Sequence, residues 1–304
     1  MNVYHFKPDH YWNKFGRQKP ALRLKSGDSV ITSTLDAHGV DAELREVAKP
    51  GNPLTGPFYI EGAGEGDTIA VHVERINPNR QHAWSRIFFS EVMVDRGMAE
   101  KLPGKHYARW MIDTQSKTVT LLEPGIRAGR LVLPLSPMMG CIGLAPEDNT
   151  SISSTTSGPG GGNLDYFMVR EGTTMLLPVF TKGGLLYIGD VHAVQGQGEP
   201  SGSGVEVSAD VQFSVDVVKG KKLRWPRGKD KEFVFTVGCD VALMKALQFA
   251  TSEMIHLLEE RYDLGLDAAS LVLGQCAFYD IASVTNPSCT VACRVSKQIL
   301  DSIL

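Results

Sequence analysis

From Val205 to Val217 every second residue is apolar. Val205, Val207, Ala209, Val211, Phe213, Val215 and Val217 share one face, and Glu206, Ser208, Asp210, Gln212, Ser214 and Asp216 share the other. A period of two is what a β-strand imposes, so this segment is predicted to be a strand with one face in the core and one solvated. Asp67–Ile76 and Ser29–His38 alternate in the same way, less cleanly. Leu185–Ala193 also reads as a strand. Between these runs lie Gly and Pro clusters at Pro50–Pro53, Gly62–Gly66, Gly158–Gly162 and Gly183–Gly184, the composition of turns between short strands. Many short strands with frequent turns predict a mainly β fold, sandwich- or barrel-like, rather than a doubly wound sheet.

The pattern changes near Trp225-Pro226. After a strand over Glu232–Val237, Asp240 is placed to cap a helix in which Leu243, Leu247, Ala250, Met254, Leu257 and Leu258 recur at helical spacing. Glu253, His256, Glu259 and Glu260 fall on the opposite flank. A second short helix is expected near Asp267, then strands over Phe278–Val284 and Thr290–Arg294 separated by an Asn286-Pro287 turn. Residues 1–225 are thus expected to form the β-rich main body. Residues 226–304 are expected to form a smaller α+β subdomain packed on it.

Composition narrows the class. The 304 residues are 42% hydrophobic and 21% charged, ordinary values for a globular protein. A formal net charge of −3 gives no electrostatic grip on nucleic acid or an anionic membrane, so neither is expected as a partner. The first residues lack the basic and apolar regions of a secretory signal, and no apolar run approaches a membrane span. Five cysteines without a Cys-x-x-Cys pair fit reduced, buried thiols in a cytoplasmic protein.

The chemistry concentrates at one strand end. The two-residue period puts Asp190 and His192 on the same face, and Gln195-Gly196-Gln197-Gly198-Glu199 follows at once. A carboxylate, an imidazole, an amide and a second carboxylate converge there, and two glycines allow a tight turn. This inventory suits a metal site of the zinc type with one position open to water. On spacing alone, a His–Asp hydrogen bond that stiffens a strand end is an equal reading. A second Asp-x-His at Asp36-Ala37-His38 favours a shared site.

The segment Gly189–Glu199 resembles the hallmark of the acetamidase/formamidase family. Asn52–Pro57, Gly62–Asp67, Pro137–Pro146 and Gly161–Asp165 are similar to other motifs of that family in the same order, so the resemblance covers the chain from about Gly27 onward. It implies a largely β-sandwich fold, homo-oligomers and release of ammonia from formamide, acetamide or related carboxamides. It further implies a divalent metal, with zinc the first expectation and calcium or another ion the alternatives. Asp190 and His192 are then the favoured ligands, with Asp36 third and His38 fourth. Asp165 is expected at the substrate with Gly196 and Gly198. Glu199 is expected to be the general base, and Gln195 or the Gly196–Gly198 turn to stabilise the oxyanion. Gln197 stands where many relatives carry Asp.

Other features read as structural. Ser153–Gly162 looks like a serine-amidase signature but lacks the upstream lysine, and Cys141 reads as a buried thiol rather than a nucleophile. The rival class is a calcium-dependent β-sandwich binding module without catalysis, built on Glu206, Asp210 and Asp216. A hydrolase of a larger amide, such as an arylacetamide, is the third reading.

Overall fold

A computed structural model describes residues 1–303, and they form a sandwich of two large sheets. One has nine strands, running in space from Val3–His5 through Ser29–Thr34, Ala209–Val218, Thr68–Pro78, Thr174–Pro178, Arg227–Lys229, Phe233–Asp240 and Cys289–Ser296 to Phe278–Ser283. The other has six, in the order Ser157–Gly158, Gly161–Asn163, Met138–Leu144, Leu186–His192, Leu54–Ile60 and Leu22–Leu24. A four-stranded sheet that includes His82–Arg86 and Tyr107–Asp113 adjoins them.

Alternation explains the packing. Val211, Phe213 and Val215 from the first sheet meet Phe58, Ile142 and Ile188 from the second in one continuous core. Phe58 and Phe213 touch edge to face across the gap, ring centroids 5.2 Å apart. Each such fully buried side chain contributes roughly 1.5–3 kcal/mol. Leu186–His192 and Met138–Leu144 are buried along their whole length. The residues between those facing the main core, Cys141, Leu185 and Tyr187, pack on Phe15 and Leu54. A strand covered on both faces offers its end, not its flank, to a ligand.

The mainly β class holds. The expected second unit, residues 226–304, supplies four of the nine strands of the large sheet, which crosses Trp225-Pro226 without a break. Its helices Leu243–Tyr262 and Leu266–Cys276 lie over that sheet, where Ala250, Met254 and Leu258 pack on Val234, Cys293 and Val295. Asp240 takes the main-chain N–H of Ala242 at 2.8 Å, just ahead of the first helix. Glu253 turns inward, against its expected place on the polar flank, because buried Arg227 donates to it at 2.6 Å. Among the described residues no helix is long and apolar enough to cross a membrane.

Candidate active site

At the end of Leu186–His192 the backbone leaves extended geometry. Asp190 has φ +54°, in the left-handed region. Its carboxylate turns toward the facing strand, where Gly140 leaves room. A Cβ at Gly140 would stand 2.5 Å from Asp165 Oδ1 and 2.9 Å from Asp190 Oδ2. Asp165, also at positive φ, follows the strand Gly161–Asn163 that pairs with Cys141–Gly143. The two carboxylates are therefore delivered by neighbouring strands to the same glycine.

His192 completes the first side of the site. Its Nε2 lies 3.6 Å from Asp190 Oδ1 and 3.2 Å from Glu206 Oε1. Gly204 clears the space, since a Cβ there would come within 2.5 Å of the imidazole. Glu199 enters from the following loop, its Oε2 accepting from Ser283 Oγ at 2.9 Å and Thr285 Oγ1 at 3.3 Å. Ligand atoms of Asp165, Asp190 and His192 lie within 4.8 Å of one another, as do those of His192, Glu199 and Glu206.

Four carboxylates and one imidazole thus share a volume closed to solvent. Burial disfavours their charged forms, and each carboxylate repels the others. Burial first, then the charge of Asp190, raises the Asp165 carboxyl to about 6. Burial raises Glu206 to about 7, with His192 opposing and Asp190 adding to the rise. Glu199 is pushed well above the usual range by burial and then by Asp165. Burial alone would depress His192, but Glu206 and Asp190 reverse this and hold it well above its ordinary value.

Several of these atoms make no well-formed hydrogen bond. Asp165 Oδ1, Asp190 Oδ1, His192 Nε2 and Glu206 Oε2 are buried without a hydrogen-bond partner. Buried polar atoms are rarely left so. The second carboxylate oxygens are partnered: Asn52 Nδ2 donates to Asp190 Oδ2 at 2.6 Å and Asn286 Nδ2 to Asp165 Oδ2 at 2.6 Å. One oxygen of each is anchored and the other left bare. Bare imidazole nitrogen and carboxylate oxygens that converge are the donor set of a divalent cation. The residues present fit such an ion.

Of the residues expected from the sequence, the structure brings together Asp165, Asp190, His192 and Glu199. Asp36 stands apart, its carboxylate taken by the guanidinium of Arg80, by Trp84 Nε1 at 3.1 Å and by the N–H groups of His38 and Val40. His38 stacks on the Trp84 indole at 3.8 Å, and burial lowers its pKa. Gln195 lies beside the cluster, but its Nε2 donates to the carbonyls of Asp165 and Ala282. Gly196 faces solvent, and the N–H of Gly198 is bonded to Ile281 O at 2.7 Å. Gln197 is exposed, with Nε2 3.4 Å from Asp280 Oδ1.

Glu206 was expected only in the rival calcium site, because its alternation places it on a polar sheet face. The regular strand begins only at Ala209, and Glu206 instead pairs through its backbone with Trp84 and His192. Asp210 and Asp216 do lie on the outer face, bonded to Asn79 and His72 respectively. The acids of the rival calcium site therefore do not converge. Cys141 donates its thiol hydrogen to Asn163 Oδ1 at 2.9 Å, and burial drives its pKa well above the ordinary value, the opposite of an activated nucleophile.

Comparison with known proteins agrees on one family. Residues 149–236 match the model of the Acetamidase/Formamidase family, a span that holds all five clustered residues. A predicted acetamidase/formamidase from Thermoanaerobacter tengcongensis is 30% identical, with TM-score 0.86 over 99% of this chain and 98% of that one. An acetamidase from Yersinia enterocolitica is 29% identical, with TM-score 0.85 over 98% and 93%. A putative formamidase of Schizosaccharomyces pombe is 27% identical over 55% of this chain and 52% of its own length. The chain spans about half the length of the curated relatives it matches.

Proposed function

The chain belongs to the acetamidase/formamidase family, and on that premise we propose that it hydrolyses small carboxamides to the carboxylate and ammonia. One observation carries the reading: Asp165, Asp190 and His192 bring ligand atoms within 4.8 Å of one another, unpartnered buried atoms among them, and His192 does the same with Glu199 and Glu206. Asp165, Asp190, His192 and Glu206 would hold a divalent cation. Zinc suits an imidazole with carboxylates, whereas calcium takes six to eight oxygens. Such an ion supplies electrophilic polarisation of the amide carbonyl and eases loss of a proton from water.

The chain's own residues handle the protons. Glu199, fixed through Oε2 by Ser283 and Thr285, takes a proton from the attacking water and delivers it to the leaving nitrogen. Burial and the neighbouring Asp165 raise its pKa, which strengthens it as a proton acceptor. Asn52 and Asn286 hold Asp190 and Asp165 in place. The enclosure of the cluster favours the smallest acyl groups, formamide and acetamide, over arylacetamides.

An ammonia-release assay over formamide, acetamide, longer aliphatic amides and arylacetamides, with and without chelator, tests this. Turnover is expected to be highest for the small amides, lost on chelation and restored by zinc. No ammonia from any of these carboxamides would overturn the reading.

A further inference from the structure

Gln195 leads from the cluster toward its support. Its side-chain amide can be oriented without ambiguity. Nε2 lies 2.7 Å from Asp165 O and 3.2 Å from Ala282 O, two main-chain carbonyls that only accept. An amide nitrogen carries two donor hydrogens, and these acceptors use both. Oε1 must then be the atom 2.7 Å from His192 Nδ1. A carbonyl oxygen cannot donate, so the hydrogen in that contact belongs to Nδ1.

We propose that Gln195 is a positioning residue that keeps the proton on His192 Nδ1 and turns Nε2 into the cluster. His192 then has a single nitrogen to offer, and it is the one facing Glu206 Oε1 and Asp190 Oδ1. The same amide grips the Asp165 loop and the strand Phe278–Ser283, whose Ser283 donates to Glu199. One side chain thereby sets the relative placement of His192, Asp165 and Glu199. The role rests on the reading of the cluster as a cation site, where a hydrogen bond behind a ligating imidazole fixes tautomer and ring angle. Donation to an oxyanion is excluded for Gln195, because its donors are spent on main chain.

Two measurements test the proposal. In nitrogen-15 histidine-labelled protein, with His192 assigned by its loss in His192→Gln, proton–nitrogen spectra report which ring nitrogen carries hydrogen. Both the metal-free and the zinc-loaded wild type are expected to show a proton on Nδ1. An Nε2–H tautomer with bare Nδ1 in either state overturns the proposal, whether or not zinc binds. Zinc titration by calorimetry forms the second arm, comparing wild type with Gln195→Met. The variant is expected to bind zinc about 10- to 100-fold more weakly while circular dichroism shows the fold kept. Unchanged zinc affinity, with only a lower melting temperature, would make Gln195 a structural tie and overturn the role. Failure of the wild type to bind zinc would instead sink the cation reading.

Discussion

Gly140 and Glu199 serve the same cluster in opposite ways, one by lacking a side chain and one by carrying an acid. At Gly140 a methyl group would sit 2.5 Å from Asp165 Oδ1 and 2.8 Å from the carbonyl of Asp190, closer than real contacts allow. Gly140→Ala must therefore push the two carboxylates apart. Overpacking of this kind costs about 1–3 kcal/mol, a tolerable loss for a molecule of this size. The site suffers more: zinc affinity and ammonia release are each expected to fall at least about tenfold, measured by calorimetry and by assay on the folded variant. Glu199→Gln keeps the shape and removes the acid. Loss of a general base typically lowers turnover by about 10²–10⁴-fold, and that fall is expected here with zinc content unchanged. Normal turnover in Glu199→Gln would reassign the base.

Elements decide which acids count as neighbours. Asp36 lies just beyond the strand Ser29–Thr34 and by sequence looks like a partner of Asp190, yet it is committed to Arg80, with both side chains buried. Removing one member of such a pair strands the other charge and costs about 3–5 kcal/mol. Asp36→Ala is accordingly expected to lose that much stability in denaturant titrations while binding zinc in the wild-type ratio. Loss of the metal without loss of stability would return Asp36 to the ligand set. The strands near Ser29–Thr34, Thr68–Pro78 and Ala209–Val218 and the helices Leu243–Tyr262 and Leu266–Cys276 were legible because alternation and helical spacing are local properties; strands such as Leu54–Ile60 and Met138–Leu144, buried on both faces, carry no such alternation. Asp190, His192 and Glu199 were legible because they stand close in sequence on one strand end. Glu206 was legible only as a solvated acid of the rival site, since its neighbours predict a polar face and only the irregular path over Gly202–Ser208 turns it inward. Asn52, Asn286 and Ser283 come from distant segments, and no local pattern marks a residue whose partner lies 84 to 138 positions away. Arg227 and Glu253 show the same limit in the helical layer, where each hides the other's charge.

At the scale of the whole molecule, the cluster sets a pH dependence opposite to that of acids held by a cation or by main-chain N–H groups. Asp67 is held below its ordinary pKa chiefly by Lys219, and Asp28 is held below by the N–H groups of Lys25 and Asn2 although burial opposes them. Such acids give stability that is present above an unfolded pKa near 4 and lost as the pH falls through their folded values. In the cluster the sign reverses. Asp165 at about 6 and Glu206 at about 7 keep protons that an unfolded chain releases near pH 4. Across roughly pH 4 to 7 the folded state therefore binds more protons, and stability falls as pH rises. His192, raised above 6.5, acts in the same direction: its contribution is complete below that value and disappears as the pH passes its folded pKa. The metal-free protein is thus expected to melt highest on the acid side of neutrality and progressively lower through pH 6 to 8. A divalent cation takes the place of those protons, so the gain in melting temperature on adding zinc is expected to grow over the same interval. Scanning calorimetry between pH 5 and 8, with chelator and with zinc, reads both curves. A zinc gain that does not change with pH would mean that the ion binds away from Asp165, Glu206 and His192.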